Sequence, residues 1–196
     1  MRTTITLARH GETDWNAERR FQGHADPPLN ERGREQARAL AGALGDTPLK
    51  AIYSSDLRRS EETARIVGDA RGIEPEPRSE LREIDVGEWS GLTFPEIEER
   101  YPEGVRRHRE GGDGWEEGEP HAAMQQRVVT AVRRIASEHP DESVLVVIHG
   151  GTMRALMAAA EAVDFPTYRR SHTGNSFENG SFVRIAVENG ELTRLD

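Results

Sequence analysis

The chain has no cysteine. That excludes a disulfide framework, a thiol nucleophile and any thiolate metal site, and it fits a cytoplasmic protein. Lysine is nearly as scarce. Lys50 stands alone against 25 arginines, so the basic charge is almost entirely of the forked kind that matches phosphate oxygens. Positive charge is not in excess either. The formal net charge is -9 over 196 residues, which repels nucleic acid phosphates and anionic membranes in bulk, so neither is an expected partner. A phosphate ligand would need a local basic pocket inside an acidic whole. No apolar run approaches the roughly 18–20 residues of a membrane span. Met1 to Ile5 leads straight into a strand pattern, with no apolar signal-peptide core. No repeat or linker divides the chain, and no His-x-x-x-His or similarly close ligand pair is present, so no metal site is expected. What remains, 35% hydrophobic and 31% charged, is a globular balance, and the length fits a single domain over 1–196.

Thr3 to Arg9 reads as a strand, and Gly11 to Asn30 as a long loop containing Asp14, Trp15, Asn16, Phe21, Gln22 and Gly23. A loop of that length in a compact domain is usually functional, and an ordered binding loop is expected here. Asn30 is placed to cap a helix from Glu31 to about Leu44. Ala51 to Tyr53 is a short strand, and Ser55 or Asp56 is expected to cap a helix through Ala70. Leu81 to Trp89 reads as extended. Phe94 to Tyr101 reads as a short helix starting near Thr93 and Pro95, and Val105 to Glu110 as very polar chain without an assigned element. The glycines at 111, 112, 114 and 118 mark a loop. His121 to Glu138 is a long helix. Val144 to Ile148 is a continuous apolar run, as in a strand covered on both faces. Thr152 to Glu161 is helical. Phe182 to Glu188, the Asn189-Gly190 turn signal and Leu192 to Leu195 form a hairpin. Strands alternating with helices imply an α/β fold with a mainly parallel central sheet and helices on both faces.

Three strands end in polar or ionisable residues: Arg9-His10-Gly11, then Ser54-Ser55 followed by Arg58-Arg59, then His149-Gly150-Gly151. In open α/β sheets ligands bind beyond the carboxyl ends of strands. Two imidazoles with guanidiniums nearby, a helix start and glycines that let backbone N–H groups approach all select a phosphate or carboxylate. Each residue also has a plainer reading. Arg9-His10-Gly11 alone could be a surface turn, and His149 alone a core or capping histidine.

Taken together, five segments resemble the histidine phosphatase superfamily, phosphoglycerate mutase-like branch. They are Leu7 to Asn16, Arg20 to Leu29, Tyr53 to Ala64, Leu81 to Gly91 and Val147 to Gly151, in the family's order. The resemblance implies a three-layer sandwich and a metal-independent phosphomonoester hydrolase without a cofactor. It implies His10 as the nucleophile that takes the phosphoryl group. Arg9, Arg59 and His149 would hold the phosphoryl oxygens, and Glu83 would be the acid that protonates the leaving oxygen and then activates water. Asn16, Gln22, Gly23 and the Gly150 N–H would line the pocket. The family pattern selects Arg59 over Arg58, which is expected on the solvated face, and Glu83 over Glu80, Asp85 and Glu88, which are expected as surface charge. Arginines can supply the charge that phosphoryl transfer requires, and cationic neighbours would favour the neutral imidazole needed for attack.

Mutases of this family carry a longer segment between the acid and the second histidine, an aromatic residue three after the acid and Asn-Ser after His-Gly. Here Glu83 and His149 are 66 positions apart, Val86 stands at the aromatic position and Gly151-Thr152 follows Gly150. These departures favour water as the acceptor. Mutase-type transfer, and a non-catalytic phospholigand-binding protein on the same fold, stay as alternatives. A lid or specificity segment is expected at about 92–120, where Arg106, Arg107, His108 and Arg109 could grip a second anionic group or form a solvated helix face. Relatives usually show Gly-Glu-Ser before the long helix, and this chain has Gly118-Glu119-Pro120. The expected partner is a small phosphomonoester, with a homodimer left open. Sugar phosphates, phosphoglycerate derivatives, α-ribazole phosphate and phosphoproteins are all compatible with it.

Overall fold

Five consecutive apolar residues, Val144 to Ile148, are fully buried, and a strand buried on both faces must lie inside a sheet covered on both sides. The computed structural model describes residues 1–172 and 177–196. Its first half runs β1 (Arg2–Arg9), α1 (Asp14–Ala17), α2 (Glu31–Ala43), β2 (Ala51–Ser55), α3 (Arg58–Arg71), β3 (Glu76–Arg78), α4 (Phe94–Arg100) and α5 (Pro102–Arg109). The second half runs α6 (His121–Glu138), β4 (Ser143–Ile148), α7 (Gly150–Ala160), α8 (Phe165–Ser171), β5 (Phe182–Glu188) and β6 (Glu191–Arg194). The strand order is β3-β2-β4-β1-β5-β6. The pairings β3–β2, β2–β4 and β4–β1 are parallel, and β1–β5 and β5–β6 are antiparallel. The expected mainly parallel sheet is present, with an antiparallel edge.

Side chains alternate across this sheet. Val144, Val146 and Ile148 join Ile5 and Leu7 against Met124, Val128 and Val132 of α6 and Met153 and Leu156 of α7. Leu145 and Val147 join Ala8 and Ile52 against Leu40 of α2 and Ala64 and Val67 of α3. Helices therefore cover both faces. The hairpin turns on Asn189 and Gly190, both at positive φ, as the two-residue turn requires.

Two expectations are corrected, and one unassigned stretch is placed. Leu81 to Trp89 is not a strand: it holds short 3-10 turns at Ser79–Leu81 and Gly87–Trp89 joined by irregular chain. Its backbone groups are taken by side chains, with Arg127 on the carbonyls of Glu80 and Arg82 and Asp85 on the Gly87 N–H, so no ladder is needed to satisfy them. Neither Ser55 nor Asp56 caps α3. The cap position is Leu57, the Asp56 carboxylate is engaged by Arg82 at 2.7 and 2.6 Å, and Asp26 accepts the Arg58 N–H at 2.6 Å. The polar run at Val105 belongs to α5, which Pro102 opens at its first position, with Val105 buried.

The loop after β1 is locked to α2 by two glycines set back to back. A methyl on Gly11 would lie 2.3 Å from the Gly33 carbonyl oxygen, and one on Gly33 would lie 2.1 Å from the Glu12 carbonyl oxygen. Both obstacles are backbone, so neither can swing aside. Gly33→Ala is expected to cost about 1–3 kcal/mol through overpacking and to lower turnover by displacing the loop beside His10. Urea denaturation and steady-state kinetics check it, and wild-type values in both would show that the contact relaxes freely.

Candidate active site

Arg9 and Ile148 are register partners, so His10 and His149 leave neighbouring parallel strands at the same level. The His10 N–H donates to the Ile148 carbonyl at 3.0 Å, and the two imidazole centroids are 5.1 Å apart. Ser54 pairs with Val147, which brings α3, with Arg59 in its first turn, to the same end of the sheet. Arg9, His10, Arg59, Glu83, Asn16, Gln22, Gly23 and Gly150 all line one cavity of about 720 Å³. Every site residue expected from the sequence except His149 is in that lining, and His149 lies directly behind His10.

The ring of His10 has a defined tautomer. Its Nδ1 is 2.6 Å from the Gly11 carbonyl oxygen, which can only accept, so Nδ1 carries the proton and Nε2 the lone pair. Burial, then Arg59 and Arg9, pull the His10 pKa well below 6.5. Burial, Arg59 and His10 do the same for His149. Both imidazoles are therefore neutral at neutral pH. Arg9 and Arg59 are lowered to about 10, chiefly by burial and against the attraction of Glu83, so both remain cations.

Arg59 is 1% exposed and donates to the carbonyls of Ala25 at 2.8 Å and Gly23 at 2.9 Å. Its buried Nε has no acceptor, a deficit of about 1–3 kcal/mol that a bound anion would remove. Arg58, its neighbour, is exposed, as the family pattern requires. Thr63, one turn on from Arg59, accepts the Gly11 N–H at 3.0 Å and donates to the Arg59 carbonyl at 2.7 Å. It ties the His10 loop to α3. Ser60 Oγ lies 3.3 Å from His149 Nε2. Asn16 commits its Oδ1 to the N–H and hydroxyl of Thr13, each at 3.1 Å.

Glu83 sits at the start of α7. Its carboxylate accepts from the N–H groups of Gly151 at 2.8 Å, Thr152 at 3.2 Å and Ile84 at 3.0 Å. A methyl on Gly151 would lie 2.4 Å from its Oε1, so the asparagine of the mutase pattern could not stand here with Glu83 in this place. The backbone of the acid segment is held by Arg127, which donates to the carbonyls of Glu80, Arg82 and Glu83 and pairs with both oxygens of Glu119 at 2.6 and 2.9 Å. Glu119 therefore has a structural task even though Pro120 replaces the family's serine. Glu80, Asp85 and Glu88 are partly buried structural groups: Glu80 pairs with Arg134, Asp85 accepts from Gly87, and Glu88 accepts from the N–H groups of Glu116 and Glu117.

The basic run at 106–109 divides. Arg106 is exposed and pairs with Glu103 and Glu110, and Arg107 pairs with Glu116. Arg109 pairs with Glu98 at 2.7 Å and lines the cavity rim, while His108 lines the cavity itself. The cavity also receives Arg154 of α7, His121 of α6 and Arg169 and Arg170 of α8. Sequence reasoning passes over these. Asp164-Phe165-Pro166 was a usable signal for α8, since Asp164 caps it with a bond to the Thr167 N–H at 3.0 Å. No local signal marks which arginine of that helix turns inward. Among the described residues no cluster of three metal-ligating side chains occurs, and no helix is long and apolar enough to cross a membrane.

Two outcomes follow from this geometry. The unfolded chain protonates its histidines near pH 6.5, whereas His10 and His149 resist protonation in the fold. Each therefore removes on the order of 1.4 kcal/mol of stability per pH unit as the pH falls below 6.5 and until its folded pKa is reached. Tm is expected to drop between pH 7 and 5.5, and a flat Tm over that window would contradict the burial of neutral imidazoles. Gly151→Ala is expected to expel the Glu83 carboxylate and lower kcat by about 10²-fold with a smaller change in KM, which a kcat and KM comparison checks.

The profile of the Histidine phosphatase superfamily (branch 1) matches residues 5–195. Phosphoserine phosphatase 1 of Hydrogenobacter thermophilus is 37% identical over 169 residues, covering 84% of this chain and 79% of that protein. Glucosyl-3-phosphoglycerate phosphatase of Mycobacterium tuberculosis is 38% identical over 168 residues, covering 79% of this chain and 74% of that protein. Among solved structures, Bacillus stearothermophilus YhfR superposes with a TM-score of 0.89 at 36% identity, covering 98% of this chain and 95% of that one. With the signature segments converging on one cavity and a family match over nearly the whole length, the chain belongs to the histidine phosphatase superfamily.

Proposed function

We propose that this protein is a phosphomonoester hydrolase acting on small phosphorylated metabolites through a phosphohistidine at His10. The observation that carries the reading is the His10 ring itself. It is buried and neutral, and its Nδ1–H is anchored on the Gly11 carbonyl, so Nε2 is the free nucleophilic atom. In the first step the Nε2–P bond forms as the ester P–O bond breaks, and the Glu83 carboxyl gives its proton to the leaving oxygen. In the second, water attacks phosphorus, its proton goes to the Glu83 carboxylate, and the N–P bond breaks to release phosphate. Arg9, Arg59 and His149 stabilise the charge on the phosphoryl oxygens, and Asn16, Gln22, Gly23 and the Gly150 N–H orient the group.

Water rather than a second substrate as acceptor is supported by the short interval from Glu83 to His149 and by Gly151, whose lack of a side chain leaves room for Glu83. The two relatives' phosphatase names point the same way. The segment at 92–120 contributes Phe94, His108, Arg109 and Trp115 to the cavity, which supports its role as a lid that sets specificity. The lack of cysteine supports a cytoplasmic setting.

The test is trapping with a ³²P-labelled phosphoester. The expected product is a protein label that is acid-labile and base-stable, absent from His10→Ala, whose turnover should fall on the order of 10⁴-fold or more. Turnover without label would remove the covalent intermediate. Isomerisation of 3-phosphoglycerate with a bisphosphate primer and negligible phosphate release would make the protein a mutase.

A further inference from the structure

The cavity is far larger than a phosphoryl group requires. Beyond the cluster of Arg9, His10, Arg59 and Glu83, its about 720 Å³ extends past apolar walls that include Val86, Phe94 and Phe165 to a second polar end made by His108, His121 and Arg169. That end is separately built. Arg169 is half-buried on α8, and its Nη2 lies 3.1 Å from His108 Nδ1, with Nη1 3.4 Å from the Gly111 carbonyl oxygen. A guanidinium can only donate, so His108 Nδ1 accepts and the ring proton is left on Nε2. His108 is thereby fixed as a neutral donor, its pKa brought to about 4 by burial and by Arg169.

The contacts that hold Arg169 are thus a ring nitrogen and a carbonyl, neither of which neutralises its charge. The acid in its electrostatic neighbourhood is Asp113. That carboxylate is bound to His121 through both the backbone N–H at 2.9 Å and the ring Nδ1. Like charges come from Arg154 and Arg170, while Arg154 is also within the field of Glu83, so Asp113 is the acid that acts on Arg169 itself. Burial lowers the Arg169 pKa to about 10, and it stays a cation at neutral pH. A partly desolvated cation with spare N–H groups beside a fixed imidazole donor is a complement for a planar anion.

We propose that Arg169 and His108 form a second-anion subsite that takes a carboxylate of the substrate, so that the preferred substrates are phosphate monoesters of small hydroxy acids. The proposal rests on the reading of His10 as the phosphoryl acceptor, which fixes the other end of the ligand. The apolar walls hold the carbon skeleton between the two charged ends, and the ester must be short enough to span one cavity. The residues of the basic run at 106–109 divide accordingly: His108 contributes to the subsite, while Arg106, Arg107 and Arg109 are engaged by glutamates.

Binding is measured by calorimetry on His10→Ala, which separates it from turnover. The ligands are two matched pairs, 3-phosphoglycerate against glycerol 3-phosphate and O-phosphoserine against O-phosphoethanolamine. The acid of each pair is expected to bind at least about tenfold tighter, the scale of a charge-assisted bidentate contact. Arg169→Gln in the same background should bring the ratio to within about twofold, Arg169→Lys should keep part of it, and Arg170→Gln should keep most of it. The ratio cancels any general loss of affinity, and a merely structural role for Arg169 would alter Tm without altering the ratio. Equal affinities within both pairs overturn the subsite. A ratio unchanged in Arg169→Gln, or lost equally in Arg170→Gln, overturns the assignment to Arg169 and leaves only the general field of the cavity. If the acids bind with the expected preference but the wild-type protein releases no phosphate from any ester, the subsite stands and the hydrolase reading fails.

Discussion

The structure depends on keeping two guanidiniums and two imidazoles together out of water at the end of a parallel sheet. Arg9 and Arg59 are 8% and 1% exposed, and His10 and His149 are 3% and 0%. Buried cations are tolerated only where hydrogen-bond acceptors replace water, and here backbone carbonyls supply them: Ala25 and Gly23 for Arg59, Phe177 for Arg9. The loop between β1 and α2 delivers the two carbonyls that hold Arg59. Burial first, and then the neighbouring cations, hold both imidazoles neutral, and the Gly11 carbonyl selects which nitrogen of His10 keeps its lone pair.

The acid segment meets the opposite requirement. Glu83 carries a carboxyl group that reaches the same cavity without being hydrogen-bonded to Arg59. It is held by the N–H groups at the start of α7, and its backbone is fixed from behind by Arg127. This arrangement explains why the segment is irregular. Its carbonyls face a guanidinium and the Glu83 carboxylate faces a helix start, so a ladder of strand bonds would compete with both. The glycine at 151 is where the acid and the helix meet, since a side chain there would have to displace the Glu83 carboxylate.

The outer half of the cavity follows a different logic. Its walls come from the acid segment and from α4, α5, α6 and α8, and its charge comes from α7 and α8 rather than from the most basic run in the chain. That run is spent on surface ion pairs with Glu98, Glu103, Glu110 and Glu116. His108, on the inward side of α5, packs against the indole of Trp89 at 5.4 Å between centroids.

Much of the fold was legible because its signals are local. The buried run at 144–148, the helix at 121–138, the Asn30 cap and the Asn189-Gly190 turn each carry their own period or dihedral preference. The inner site was legible because strand ends carry it: His10, Arg59 and His149 follow the strands that position them, and the family resemblance distinguished Arg59 from Arg58 and Glu83 from its neighbours. The extended reading of Leu81 to Trp89 and the caps proposed at Ser55 and Asp56 failed because side chains remote in sequence, Arg127, Arg82 and Asp26, take the backbone and carboxylate groups that local rules assign to neighbours. The sequence by itself determined the sheet, its helices and which residues meet at the inner end of the cavity. Only the tertiary structure decided the tautomer of His10, the seat of Glu83 and the inward turn of His108 and Arg169, because each depends on a partner that packing alone brings within hydrogen-bond distance.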